Sequence, residues 1–200
     1  MRKVALITDG WRRLFTYALP AGILQRIRET GEDVNLYIFN STGNWSRDAG
    51  YNKAEYNIYN LPNLSDFDGI ILELNNISSP AVLADVISNA KRSGRPVVSI
   101  ANELGDFYYV GIDNYSAMKQ VIAHLHEVHD CKKFWLLVGA QDNYESSCRL
   151  QGMLDYAKEH KIKIGKDDIW YGSFDYKSGL EGYKHLWDRH KELPDAIICI

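Results

Sequence analysis

The segment Gly111-Ile112-Asp113-Asn114 places an acid and an amide where a predicted strand passes into an amphipathic helix. That helix ends near His129, and an apolar strand at residues 134–138 then opens a second α/β unit. In open α/β sheets, ligands bind outside the carboxyl ends of the strands. The order of residues therefore predicts a binding crevice between two lobes, with Asp113 at its edge.

Polar side chains also follow other predicted strands. Glu73 and Asn75 end the third strand, and Asn102 follows the fourth. The topology directs them toward the same crevice, although each could instead cap the next helix or a turn. Glu73 directly follows the apolar residues 71–72, so we expect its carboxylate to be partly buried. A buried carboxylate needs a cation or a hydroxyl donor.

Three histidines, His124, His126 and His129, lie on one predicted helix and invite a metal interpretation. The side chains of His124 and His126 point about 200° apart on a helix, so all three cannot bind one ion. Surface or interlobe histidines are the simpler interpretation. The sequence also lacks a G-x-S-x-G motif and a glycine-rich phosphate loop. We therefore predict no catalytic residues, no metal and no cofactor.

The composition is that of an ordinary soluble globular protein, with 46% hydrophobic and 24% charged residues. A net charge of −3 provides no overall basic field for nucleic acid or acidic lipid. Cys131, Cys148 and Cys199 are odd in number and widely spaced, as expected for reduced structural thiols. No segment has the apolar length of a signal peptide or a membrane span. We expect a cytoplasmic protein that does not contact the membrane.

Strand and helix patterns alternate along the chain. Strands are predicted from short apolar runs at residues 4–8, 34–39, 67–72, 96–100, 109–112, 134–138, 169–171 and 196–200. This alternation predicts parallel sheets built from βαβ units. Pro20 is expected in the first turn of the first helix. Nothing follows the last strand to cap or cover it, which suggests a truncated domain.

These elements resemble, in their order, the effector-binding core of the LacI/GalR repressor family, which has a type I periplasmic-binding-protein fold. The motifs that carry the resemblance are short and occur at family-like spacing; they are Asp68-Gly69-Ile70-Ile71, Gly94-Arg95-Pro96-Val97-Val98, Gly111-Ile112-Asp113-Asn114, Arg149-Leu150-Gln151-Gly152, Gly172-Ser173-Phe174 with Ser178-Gly179, and Pro194-Asp195-Ala196-Ile197. The resemblance implies an α/β fold of two Rossmann-like lobes with parallel sheets, the second lobe incomplete. The expected lobes are residues 1–130 and 131–200.

Three departures from the family pattern affect the functional interpretation. The first strand begins near Lys3, which leaves no room for the family's helix-turn-helix headpiece. The family's core continues further than Ile200, so we expect its last third to be missing from this sequence. The region 45–61 is rich in Asn and Tyr where the family commonly has a Glu/Arg/Leu-rich helix. DNA binding is therefore expected only through a headpiece that this chain does not contain.

The resemblance also implies ligand-binding residues. It places Asp9, Trp11, Phe15 and Tyr17 in the first strand-to-helix loop at one wall of the crevice, where an aromatic ring could stack on a sugar or base. Packing of Trp11 and Phe15 at a lobe or dimer surface is the alternative.

The family pattern further implies that Asp113 and Arg149 hydrogen-bond the ligand from opposite lobes, because a carboxylate accepts from hydroxyl groups and a guanidinium donates through a rigid fork. The alternatives are a helix N-cap for Asp113 and an i,i+4 ion pair with Glu145 for Arg149. Phe174 matches a position where an aromatic ring lies against the ligand, with core packing as its alternative.

The predicted function is that of a cytoplasmic sensor for a sugar- or nucleoside-like effector, and the chain itself is not expected to be an enzyme. Ligand would stabilise a closed arrangement of the lobes, and a homodimer would transmit the signal. The alternatives are a fragment of an operator-binding repressor, a sensor that controls an attached enzyme such as a diguanylate cyclase, and an α/β enzyme domain with an unrecognised site.

Overall fold

The computed structural model describes residues 1–10, 14–42, 48–75, 77, 79–141 and 143–200, and the side chains of residues 14–16 are left aside. The chain divides into two compact units, Met1–Gly111 and Ile112–Ile200. The boundary between the units, after Gly111, lies 19 residues earlier in the chain than the boundary predicted after residue 130. The helix α4 (Asn114–His129) belongs to the second unit because it packs extensively against α5 (Tyr144–Glu159).

The first unit is a five-stranded parallel sheet with helices. Its strands lie in the order β2-β1-β3-β4-β5, and their bounds are β1 Arg2–Asp9, β2 Val34–Ser41, β3 Gly69–Glu73, β4 Val97–Ile100 and β5 Tyr108–Val110. The helices are α1 Leu14–Thr30, α2 Ala49–Glu55 and α3 Pro80–Arg92, with short 3-10 turns at Tyr56–Asn60 and Leu64–Asp66. All strand pairs are parallel, as the alternating pattern predicted.

The core of the first unit is built on the apolar middle segments of β1 and β3. Ala5 and Ile7 of β1 join Ile70 and Leu72 of β3 in one buried cluster, while Leu6, which alternates with them, is also fully buried. A central parallel strand is covered on both faces, so both sets of alternating side chains are apolar.

The second unit repeats the same construction on a smaller sheet. Its parallel strands lie in the order β7-β6-β8; their bounds are β6 Phe134–Val138, β7 Ile169–Tyr171 and β8 Ala196–Cys199. The helix α6 (Tyr176–His190) follows β7. The core joins Leu136 of β6 to Ile122 of α4 and Met153 of α5, all three fully buried.

Helix starts in both units carry the capping residues that satisfy free backbone N–H groups. The caps are Asp48 for α2, Ser79 for α3, Asp113 for α4, Asn143 for α5 and Asp175 for α6. The expectation for Pro20 is wrong, because α1 begins at Leu14 and Pro20 lies in its interior. The helix extends backward past the proline, despite the backbone hydrogen bond that proline cannot donate.

Within the described part of the chain, none of the helices has both the length and the apolar character that a membrane crossing requires.

Candidate functional site

The carboxyl edge of the first sheet contains two buried acids. Asp9 ends β1 and is 1% exposed, and Glu73 ends β3 and is 2% exposed. Thr8 and Glu73 are opposite each other in the β1–β3 register, and the Thr8 hydroxyl donates a 2.8 Å hydrogen bond to Glu73 Oε2. Glu73 is therefore more completely buried than the partial burial predicted, and of the two predicted kinds of partner, a cation or a hydroxyl, it has a hydroxyl donor.

Tyr59 closes this edge from the 3-10 turn after α2. Its hydroxyl donates a 2.9 Å hydrogen bond to the backbone carbonyl of Thr8. Burial raises the pKa of the Tyr59 phenol well above its usual range, and the nearby Asp9 carboxylate raises it further. Tyr59 is thus a neutral donor at all ordinary pH values, held beside the two acids.

Two asparagines continue the same edge. Asn75 is half-buried in the turn after β3, and Asn102 is half-buried in the bend after β4. The Ser99 hydroxyl donates to the backbone carbonyl of Asn102 at 2.6 Å, a bond that holds the bend without involving the Asn102 side chain. Its side-chain Oδ1 is nevertheless buried and accepts no hydrogen bond from any residue that the structure describes. A buried acceptor of this kind is open to a donor from a ligand or water.

Of the three aromatic residues predicted for the first loop, the structure describes the side chain of one. Trp11 lies outside the described residues, and Phe15 falls in α1 with its side chain outside the description. Tyr17 lies in the helix α1 rather than in the predicted loop, and it is 61% exposed. Its ligand role remains a prediction.

Asp113 lies at the N-terminus of α4 in the second unit. Its Oδ1 accepts the backbone N–H of Ser116 at 2.9 Å, so the capping alternative is realised. Hydrogen bonds from the Ser116 backbone and hydroxyl lower the pKa of the Asp113 carboxyl. The side chain is exposed, and it presents a full negative charge to solvent at neutral pH.

Arg149 lies on α5 in the same compact unit as Asp113, whereas the resemblance implied that the two residues belong to opposite lobes. Its Nε donates to Asn114 Oδ1 at 2.8 Å, and a terminal guanidinium nitrogen lies 3.8 Å from Glu145 Oε2. Asn114 in turn donates to Glu145 Oε1 at 3.1 Å. The i,i+4 ion-pair alternative is therefore present, within a network that ties the start of α4 to α5. Contact of Asp113 or Arg149 with a ligand remains a prediction.

Phe174 lies at the carboxyl edge of the second sheet. Its backbone has a φ of 59°, a left-handed conformation that non-glycine residues rarely adopt. Its ring packs over Gly139, where an added Cβ would lie 2.0 Å from the ring, yet 47% of Phe174 is exposed. Rare backbone conformations of this kind concentrate at ligand sites.

A cleft of about 340 Å³ opens beside Phe174. It is lined by Leu137, Val138, Trp170, Gly172, Phe174, Asp175, Tyr176, Ser178, Gly179, Cys199 and Ile200. Asp175 caps α6 by accepting the Ser178 N–H at 2.8 Å. The Ser173 hydroxyl and the Ser178 N–H lower the pKa of Asp175, so this cleft has a charged rim and an aromatic wall.

Asn114 and Ser178 belong to motifs noted in the sequence, but no individual role was predicted for either. Two further residues of these edges, Thr8 and Tyr59, were not predicted at all. Thr8 and Tyr59 had no local signal, because their roles depend on contacts between distant segments.

Comparison with known proteins gives a sequence relative and a consistent set of structures. No protein-family model matches the chain. Catabolite control protein A of Staphylococcus epidermidis is 27% identical over 150 residues, which cover 74% of this chain and 43% of that protein. The chain therefore spans less than half the length of this curated relative.

Solved structures match along the whole chain. The transcription regulator CcpA of Lactococcus lactis has a TM-score of 0.72 at 18% identity, covering 100% of this chain and 68% of the other. A periplasmic solute-binding protein of an ABC transporter from Actinobacillus succinogenes, with bound D-allose, has a TM-score of 0.75 at 15% identity with the same coverage. At these identities the similarity is one of fold.

Proposed function

We propose that this chain, which has the fold of LacI-family effector-binding domains and of periplasmic binding proteins, is the ligand-sensing part of a cytoplasmic transcriptional regulator. The predicted fold class is confirmed. The sequence similarity of this chain to a catabolite control protein supports the regulatory role. Effector binding at the lobes would favour a closed arrangement and so change the state of an attached output domain.

The observation that carries this proposal is the chemistry of the two carboxyl edges. In the first unit, that edge contains carboxylates and amides, which accept hydrogen bonds from hydroxyl groups; in the second, it contains a half-exposed aromatic ring beside a cleft. Ligands of open α/β sheets bind at this edge. A neutral, hydroxyl-rich molecule such as a sugar or nucleoside fits these groups, and D-allose is bound in one of the similar structures.

A binding screen tests the proposal directly. We expect at least one compound from a panel of neutral sugars, including D-allose, and nucleosides to raise the thermal unfolding temperature, since a ligand at a hundred times its Kd stabilises by about 2.7 kcal/mol. For that compound, Asp113→Asn, which keeps the cap but removes the charge, and Arg149→Lys, which removes the donor fork, should each weaken binding roughly 10- to 100-fold.

The matched control is Arg189→Lys, a change of the same type at an exposed ion pair with Asp167. Calorimetry should show its affinity unchanged. If the whole panel leaves the unfolding temperature unaltered, the proposed ligand class is wrong. If a ligand binds and both variants bind it normally, Asp113 and Arg149 are not at the site.

A binding role is proposed in preference to an enzymatic one. The similar proteins are regulators and a solute-binding protein, and neither an attached cyclase nor an unrecognised enzyme site gains specific support from them. Binding of operator DNA is proposed to need a headpiece outside this sequence.

We propose that the physiological partner of α6 is a second copy of this chain. Tyr176, Leu180, Tyr183 and Trp187 follow one another at intervals of four, three and four residues, and they are 89%, 42%, 38% and 39% exposed. This spacing gives one apolar stripe along the helix. A different face of the helix, with the buried Gly182 and Leu186, already packs on the sheet, where Gly182 lies against Trp170 and Leu137.

The oligomeric state tests this partner. Leu180→Glu combined with Trp187→Glu should convert the dimer to a monomer in light scattering after size exclusion, because each change places a charge in an apolar contact. Tyr108→Glu, at an equally apolar position with 73% exposure on β5, should leave the dimer intact. A monomeric parent chain, or loss of the dimer in the Tyr108 variant instead, would count against the α6 interface.

A further inference from the structure

The C-terminal end of α4 brings two exposed histidines together. The Nε2 atoms of His124 and His129 lie 3.2 Å apart, and their rings meet edge to face with centroids separated by 5.0 Å. Both side chains are exposed. The third histidine of this helix, His126, instead contacts the Tyr156 hydroxyl at 3.0 Å.

The separation of these nitrogens suits two chemical states. In the metal-free chain, one neutral imidazole donates its N–H to the lone pair of the other. The same separation also fits two ligands of a single ion: with metal–nitrogen bonds of about 2.1 Å, it corresponds to an angle of about 100° at the metal. That angle lies between octahedral and tetrahedral values, and binding would require the two rings to turn until both Nε2 lone pairs face the ion.

We propose that His124 and His129 form a binding site for a divalent first-row transition metal such as Zn²⁺. Imidazole nitrogen is a preferred ligand for these ions. No group of three or more His, Cys, Asp or Glu side chains suited to a metal occurs within the described ranges, so water completes the coordination sphere. The site is on the helix surface, and it does not depend on the effector-binding role of the strand edges.

The ion would link the last turn of α4 to the turn before it. A ligand that binds only the folded chain stabilises it, so bound metal should strengthen this helix end. Both imidazoles must be neutral to bind.

Titration calorimetry with ZnCl₂ at pH 7.5 tests the site on tag-free protein carrying Cys199→Ser, which removes an exposed thiol. We expect one ion per chain. His124→Gln and His129→Gln should each weaken binding about tenfold or more, whereas His126→Gln, the matched control on the same helix, should bind zinc normally. Zinc should also raise the unfolding temperature of the parent chain and leave that of the His124→Gln/His129→Gln double variant unchanged.

The following results would contradict the proposed metal site. If the parent chain binds no zinc at millimolar concentration, the nitrogen pair is only a hydrogen bond. If the double variant binds as tightly as the parent, or if His126→Gln weakens binding as much as the other two changes, the ion is held elsewhere.

Discussion

Replacing Gly152 by alanine is expected to lower the free energy of unfolding of the second unit by about 3 kcal/mol, the upper range for overpacking a close contact. At this position α5 crosses the start of α4. A Cβ on residue 152 would lie 2.3 Å from the Tyr115 carbonyl oxygen and 3.1 Å from its carbonyl carbon. The obstructing atoms belong to a helix backbone, so relief requires the two helices to separate.

Urea unfolding followed by circular dichroism measures this effect, and Gly179→Ala is the matched control. Gly179 also lies within a helix, but a Cβ there would meet nothing within 4 Å. The general preference of helices for alanine should then increase stability by up to about 1 kcal/mol. Similar small gains for both variants would show that α4 and α5 can move apart freely, and that the close approach at Gly152 is unimportant.

Replacing Arg149 by methionine is expected to reduce stability by about 2 kcal/mol, the scale of a lost hydrogen bond to a charged group. Arg149 is 27% exposed, and its loss removes the donor to Asn114 Oδ1 and the cation beside Glu145. Asn114 is 6% exposed, so solvent has little access to replace that donor. Methionine keeps much of the apolar length of the side chain, which isolates the polar loss.

A double-mutant cycle with Glu145→Gln separates the ion pair from the bond to Asn114. Because the guanidinium is 3.8 Å from Glu145 but its Nε is 2.8 Å from Asn114, the coupling with Glu145 should be the smaller part of the cost. If Arg149→Met leaves stability unchanged, the network contributes nothing to the packing of α4 on α5. Any effect of an Arg149 substitution on ligand affinity would then come from a lost contact with the ligand and not from a loss of stability.

Some features of the site could be predicted from local sequence patterns. Glu145 and Arg149 are four residues apart, and their pairing follows from helix periodicity. The burial of Glu73 followed from the apolar residues before it, and its need for a hydroxyl donor followed from the cost of burying a charge. Asp113 could be recognised as a helix cap because aspartate precedes an amphipathic segment.

Other features had no local signal. The helix that contains Pro20 begins at Leu14, and the first-turn preference of proline gave no indication of this earlier start. Gly152 could be placed on a helix, but the sequence does not reveal that Tyr115 lies against it. The role of α4 within the second unit likewise depends on its contact with α5.

The sequence by itself determined the order of strands and helices and their parallel arrangement, because hydrophobic periodicity and capping residues act within a few positions of the chain. Only the tertiary structure decided that Thr8 donates to Glu73, 65 positions away, that Tyr59 closes over the same edge, and that His124 turns toward His129 while His126 turns toward Tyr156. Such contacts arise from strand register and helix packing, which depend on the sum of many distant interactions and leave no pattern in any one segment.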